Sequence, residues 1–175
     1  GINIADTMRA MDELVEQGLV KNIGVCNMTP HRFNEAQKLT KNKLVCNQVH
    51  YNVQFREAVH KGVIQHAQEN DVLLVAWRPL QNGILPETPL MQELAAKYGK
   101  TPAQVAINWL VSQQNVVTIS KTSGEAHLEW VLDDVVASPG QSISDALAQA
   151  RCRAHEGSVD VGLHLSIVGS VAEGD

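Results

Sequence analysis

The sequence predicts a parallel α/β fold, a partial TIM-type (β/α)8 barrel of about four βα units followed by a tail that does not fit the pattern. Short apolar runs at 22–26, 44–48, 72–77 and 116–119 alternate with stretches of helical periodicity, as expected of parallel strands joined by right-handed crossovers. Each run ends in polar or aromatic residues: Cys26-Asn27, Asn47-Gln48, Trp77-Arg78 and Ser120-Lys121. The connections are short, as βα units require. Ligands of parallel sheets collect at the strands' carboxyl ends, so these tips mark the candidate site.

The elements follow in order. Ile4, Met8, Met11, Leu14 and Val15 repeat at helical spacing and predict a helix over 4–18 closed by Gly18. Strand 22–26 comes next. Thr29-Pro30 opens a second helix through about Leu39, because Thr caps orphan N–H groups and Pro at the first helical position loses none that is needed. The same pair recurs at Thr88-Pro89 and Thr101-Pro102, and Gln104 completes a capping box with Thr101. Strand 44–48 leads to a helix over 56–69 with Ala58, Val59, Val63, Ile64 and Ala67 as its inner face. Strand 72–77, two helices, strand 116–119 and a helix from about Glu125 complete the regular part. From 131 the texture changes: Ser138-Pro-Gly140 breaks the chain, 142–155 reads as an Ala-rich helix and 157–175 as a Gly/Ser/Val tail. Residues 1–130 are expected to form the half barrel and 131–175 a divergent extension, partly helical or disordered.

Composition narrows the partners. The chain has 175 residues and a formal charge of −5, short of the ~250 residues typical of a complete barrel. Its basic residues are scattered, which argues against nucleic acid and anionic membranes. Neither a secretory signal nor a long apolar run stands in the sequence, so a cytoplasmic protein acting on small molecules is expected. Cys26, Cys46 and Cys152 are odd in number and widely spaced. That fits a reducing compartment, with the two strand cysteines as small buried hydrophobes. No metal-ligand spacing appears among the histidines and cysteines, and no metal site is expected.

Gly18-Leu-Val-Lys-Asn-Ile-Gly-Val-Cys-Asn27, then Asn47-Gln-Val-His-Tyr-Asn52, Ala76-Trp-Arg-Pro-Leu80 and Ile119-Ser-Lys-Thr-Ser123, stand in that order. Over residues 4–129 the chain resembles the aldo-keto reductase family, as strands five to eight of its barrel with their helices. The resemblance implies NADPH as cofactor, with NAD as the alternative, and reduction of a small carbonyl substrate to an alcohol. It matches Asn27 and Gln48, beside Cys26, to the amides that hold the nicotinamide carboxamide. Trp77 matches the aromatic platform under the ring. Arg78, Pro79, Leu80 and Gln81 match the loop beside the pyrophosphate. Lys121, Thr122 and Ser123 match the clamp on the adenosine phosphate, with His127 as a weak phosphate partner. Cys26 stands where Ser is common and Ser120 where Pro is usual, while Trp130 and Val131 replace a Glu-Asn pair.

The resemblance implies that the family's catalytic half is not among these residues. The family's Tyr acid, with its Lys, Asp and His, belongs to the first four strands, and hydride addition needs such an acid to protonate the oxyanion. Here Tyr51 matches a pocket-lining position, and Tyr98 ends a helix and is expected to pack. His50 and His60 are expected at the surface or in support. No catalytic residue is assigned. The alternative is an inactive fragment that folds only by oligomerising through its barrel edges or by pairing with a complementary half barrel. A binding module on a flavodoxin-like sheet is a more distant third.

Overall fold

The computed structural model describes residues 3–120. Four strands, β1 (Ile23–Cys26), β2 (Leu44–His50), β3 (Leu73–Trp77) and β4 (Val116–Thr118), form one parallel sheet in the order β1-β2-β3-β4. Strand order equals chain order, as in a barrel wall and unlike a doubly wound sheet. Helices α1 (Ile4–Glu16), α2 (Pro30–Leu39), α3 (Glu57–His60), α4 (Val63–Glu69), α5 (Pro89–Tyr98) and α6 (Pro102–Val111) connect or precede them. The helix expected near Glu125 and the whole tail lie outside the described residues.

Burial separates the two faces of the sheet. Val25, Asn47, Leu74 and Val116 stand side by side in register and are all buried, together with Val49 and Ala76. They pack with Met8 and Met11 of α1, Phe33 and Ala36 of α2, Ala58, Val63 and Ala67 of α3 and α4, and Leu110 of α6. Their alternates on the opposite face, Cys26, Gln48, Val75 and Val117, are only half-buried. Leu73 on that face is 40% exposed, and Ile119, just past β4, is 50% exposed. One face therefore carries the core and the other is open. The two cysteines expected to be buried are half-buried instead, because Cys26 and Cys46 belong to this open side; partial burial still pushes both thiols up from their ordinary value.

All three Thr-Pro starts are helix starts. Thr29 accepts from the Arg32 N–H, and Thr101 makes the full capping box with Gln104. Thr88 stands at the N-cap of α5, but its hydroxyl donates instead to the Leu85 carbonyl of the preceding turn. The helix expected over 56–69 is two: Gly62 takes φ 69° between α3 and α4. That left-handed residue swings the first turn off the common axis, and Val59, expected on the inner face, is 39% exposed. Tyr98, expected to pack, is 61% exposed with the Lys97 ammonium over its ring. It is the last residue of α5 and is not among the residues packed on the small Leu85-Met91-Ala106 cluster that seats the helix.

Gly24 shows how tightly β1 meets β2. A Cβ built there would overlap the Cys46 sulfur and lie 3.0 Å from the Cys46 carbonyl oxygen. Gly24→Ala is expected to cost about 1–3 kcal/mol, the usual range for overpacking. Adding Cys46→Ala should recover part of that loss and leave the backbone contact uncorrected, which urea unfolding of the single and double variants would show.

Candidate active site

The carboxyl ends of β1, β2 and β3 converge, and the backbone explains how. The residue just after β1, Asn27, and the residue just after β3, Arg78, both turn left-handed, with φ of 55° each. Asn tolerates that region well; Arg does so only when held. These turns lead the chain away from the sheet and leave the last strand residues on the rim.

Asn27 donates its backbone N–H to the Gln48 carbonyl at 2.8 Å and accepts the Trp77 indole N–H on Oδ1 at 3.4 Å. Cys26 lies in register with Gln48, Gln48 with Val75, and His50 with Trp77. The Gln48 side chain faces the open side and hydrogen-bonds to nothing else among the described residues. Trp77 stacks on His50 at 4.5 Å between ring centroids, and His50 stacks in turn on Phe55 at 3.8 Å. The Arg78 guanidinium stands 5.1 Å from the centre of the Trp77 ring, is exposed, and has no carboxylate partner among the described residues. Among the described residues, the rim thus combines a carboxamide without a hydrogen-bond partner, an aromatic surface and a cation without a carboxylate partner.

Of the residues singled out in the sequence, Cys26, Asn27, Gln48, Trp77, Arg78 and Gln81 come together here. Pro79 is buried and Leu80 half-buried against the Leu85-Met91-Ala106 cluster, so these two shape the loop from beneath. Lys121, Thr122, Ser123 and His127 lie outside the described residues. Of the two histidines expected at the surface or in support, His60 is exposed and His50 is half-buried within a three-ring stack beside Trp77.

Neither described tyrosine reaches the rim. Tyr51, expected to line the pocket, is 1% exposed on the core side and donates to Gln113 Oε1 at 2.7 Å. Burial pushes its phenol up from the ordinary value, the wrong direction for an acid working near neutrality. No group of three or more potential metal ligands occurs among the described residues. No described helix is long and apolar enough to cross a membrane.

Two supporting residues were not anticipated. Asn47, 3% exposed, accepts the Met28 N–H at 3.3 Å and donates to the Met28 carbonyl at 2.7 Å, fixing the turn after β1. Asn52, fully buried, bonds to the turn after β3. For Asn47 the available signal was a polar amide alternating with the apolar Val49 and Tyr51; Asn52, past the end of β2, carried none.

Residues 2–138 match the family model described as the aldo/keto reductase family. The chain belongs to the aldo-keto reductase family. Among curated relatives, it is 32% identical over 128 residues to the 9,11-endoperoxide prostaglandin H2 reductase of Trypanosoma cruzi, covering 71% of this chain and 44% of that one. It is 34% identical over 128 residues to the pyridoxine 4-dehydrogenase of Escherichia coli, covering 72% and 43%. A thermostable aldo-keto reductase solved with the inhibitor epalrestat superposes with a TM-score of 0.74 at 32% identity, over 84% of this chain and 54% of that chain. The aldo-keto reductase of Klebsiella pneumoniae solved with NADP and acetate has a TM-score of 0.69 at 20% identity, over 85% and 54%, a likeness of fold. The chain thus spans about half the length, or less, of the aldo-keto reductases it matches. The four-stranded parallel sheet is similar to part of their (β/α)8 barrel.

Proposed function

We propose that this chain is the cofactor-binding half of an NAD(P)H-dependent aldo-keto reductase acting on a small carbonyl compound. The observation that carries the reading is the convergence of Asn27, Gln48, Trp77 and Arg78 at one rim. A nicotinamide carboxamide needs paired donors and acceptors, which the Asn27 and Gln48 amides supply. Trp77 offers an aromatic surface to the ring beside its His50 contact. The exposed Arg78 guanidinium is suited to a phosphate oxygen, and Gln81, Pro79 and Leu80 form the loop that carries it. Cys26 borders the amide pair from the β1 end.

Bound there, a reduced nicotinamide would supply hydride. This chain's residues would grip and orient it, while protonation of the product oxygen falls to a group from the complementary half. Lys121, Thr122, Ser123 and His127 are assigned to the adenosine phosphate by resemblance, which favours NADPH over NADH. Within this reading residues 1–130 form the half barrel and 131–175 a divergent extension.

Titrating the purified chain with NADPH should quench Trp77 fluorescence in a saturable way, and Trp77→Phe should remove that component. An unchanged emission at millimolar NADPH would count decisively against the reading.

The open face supports a second reading, a fragment stable only when paired. Among the described residues β1 and β4 are the edge strands, and Leu73 and Ile119 are exposed beside the half-buried Val75 and Val117. Such surfaces favour association. Sedimentation should reveal dimers or larger species; a well-folded monomer at micromolar concentration would exclude obligatory pairing.

A further inference from the structure

Hydrogen-bond accounting fixes the orientation of Asn52, which is 0% exposed. Its Oδ1 accepts the backbone N–H groups of Gln54 at 3.0 Å and Phe55 at 2.8 Å. Nδ2 therefore faces the β3 loop, donating to the Arg78 carbonyl and to Gln81 Oε1, both at 2.9 Å. Both amide hydrogens are then used, so its 3.4 Å approach to His50 Nε2 is a contact without a bond. Gln81 Oε1, acceptor towards Asn52, lies 3.0 Å from His50 Nε2 and accepts there as well. The network thus assigns the His50 proton to Nε2.

We propose that Asn52 is a positioning residue for the cofactor rim, holding the turn 78–83 and, through Gln81, the His50 ring that backs Trp77. This inference rests on the proposed cofactor site. Arg78, Gln81 and Asn82 take φ of 55°, 49° and 56°, and none is glycine. Such backbone persists only where the surroundings over-determine it. Asn52 grips two of those three residues directly. The same amide thus anchors the backbone of Arg78 and, by way of Gln81 and His50, supports the face of Trp77. A turn held in its binding shape spares a ligand the cost of ordering it.

Asn52→Asp separates this role from simple packing, because it keeps the oxygen that accepts from both Gln54 and Phe55 and loses both N–H donors. Backbone amide exchange reads the turn without any ligand: Gln81 N–H donates to the Arg78 carbonyl and Gly83 N–H to the Leu80 carbonyl. Exchange at Gln81 and Gly83 should rise tenfold or more while amides of the β2–β3 ladder stay unchanged. NADPH Kd, followed by Trp77 fluorescence, should rise about tenfold, with no such rise in Lys43→Ala, a surface variant just before the amino end of β2 and so at the opposite end of the sheet from the rim. Gln81→Met, on a partly exposed position, carries the same exchange test should the Asp variant fail to fold. Unchanged exchange in the folded variants, or loosened exchange with wild-type NADPH affinity, overturns the proposal. Raised exchange in a protein whose wild type ignores NADPH upholds the turn-holding role and overturns the cofactor reading alone.

Discussion

Replacing Asp12 by Ala should lower stability by roughly 2–4 kcal/mol, the expected cost of removing a buried ionised acceptor shared by several donors. Asp12 is 5% exposed on α1 and takes hydrogen bonds from the Thr40 hydroxyl, from the Lys41 N–H at 3.0 Å and from the Asn42 amide at 2.8 Å. These three residues form the link between α2 and β2. Gln37 secures the same link from the other side, donating to the Asn42 carbonyl and accepting the Leu44 N–H, both at 2.9 Å. Loss of the carboxylate would therefore loosen α1 and the entry to β2, the strand that carries Gln48, His50 and Asn52.

The pH dependence has a definite sign. Burial alone pushes the Asp12 carboxyl up, but the bonds from Thr40, Lys41 and Asn42 outweigh burial and hold it below its ordinary value. A group depressed by folding contributes its stability fully above the unfolded value and loses it as pH falls through the folded one. The gap between wild type and Asp12→Ala should be constant near neutrality and narrow on the acid side. Urea midpoints across that range would check it, and a gap that widened in acid would contradict the assignment.

Replacing Trp77 by Ala should weaken NADPH binding about 10- to 100-fold, in line with what one aromatic stacking surface contributes. Stability should change far less, because Trp77 is only half-buried and belongs to the open face. The substitution also removes the donor to Asn27 and the ring beneath the Arg78 guanidinium. Trp77→Tyr should retain most of the affinity, since a planar surface remains. Binding by calorimetry and unfolding by urea, measured on the same variants, would separate the two effects. An equal loss in Ala and Tyr variants would place the contribution elsewhere than stacking.

Much of this architecture could be read in advance because its signals are local. A Thr-Pro pair starts a helix whatever surrounds it, and all three pairs do so here. The alternation of strands and helices likewise produced the parallel order. What escaped depends on contacts distant in sequence. Gly62 breaks a run that reads as continuous helix, because periodicity does not register a single left-handed residue. β2 runs two residues past the expected end, to His50, where it pairs with Trp77 of another strand. Tyr51 and Tyr98 were misplaced because only tertiary packing decides which aromatic is enclosed. At the rim, polar and aromatic strand tips together with the family resemblance pointed to Asn27, Gln48 and Trp77. Of the supporting amides, Asn47 gave only the faint signal of polarity within a buried register, and Asn52, beyond the end of β2, gave none.

The central claim is that Asn27, Gln48 and Trp77 form one binding surface, and nitrogen-resolved NMR of their side-chain N–H groups tests it most directly. On titration with NADPH, the Asn27 and Gln48 amide signals and the Trp77 indole signal should shift together with one apparent Kd, while the buried Asn47 amide signal stays nearly still. Shifts confined to other residues, or none at millimolar NADPH, would contradict the account.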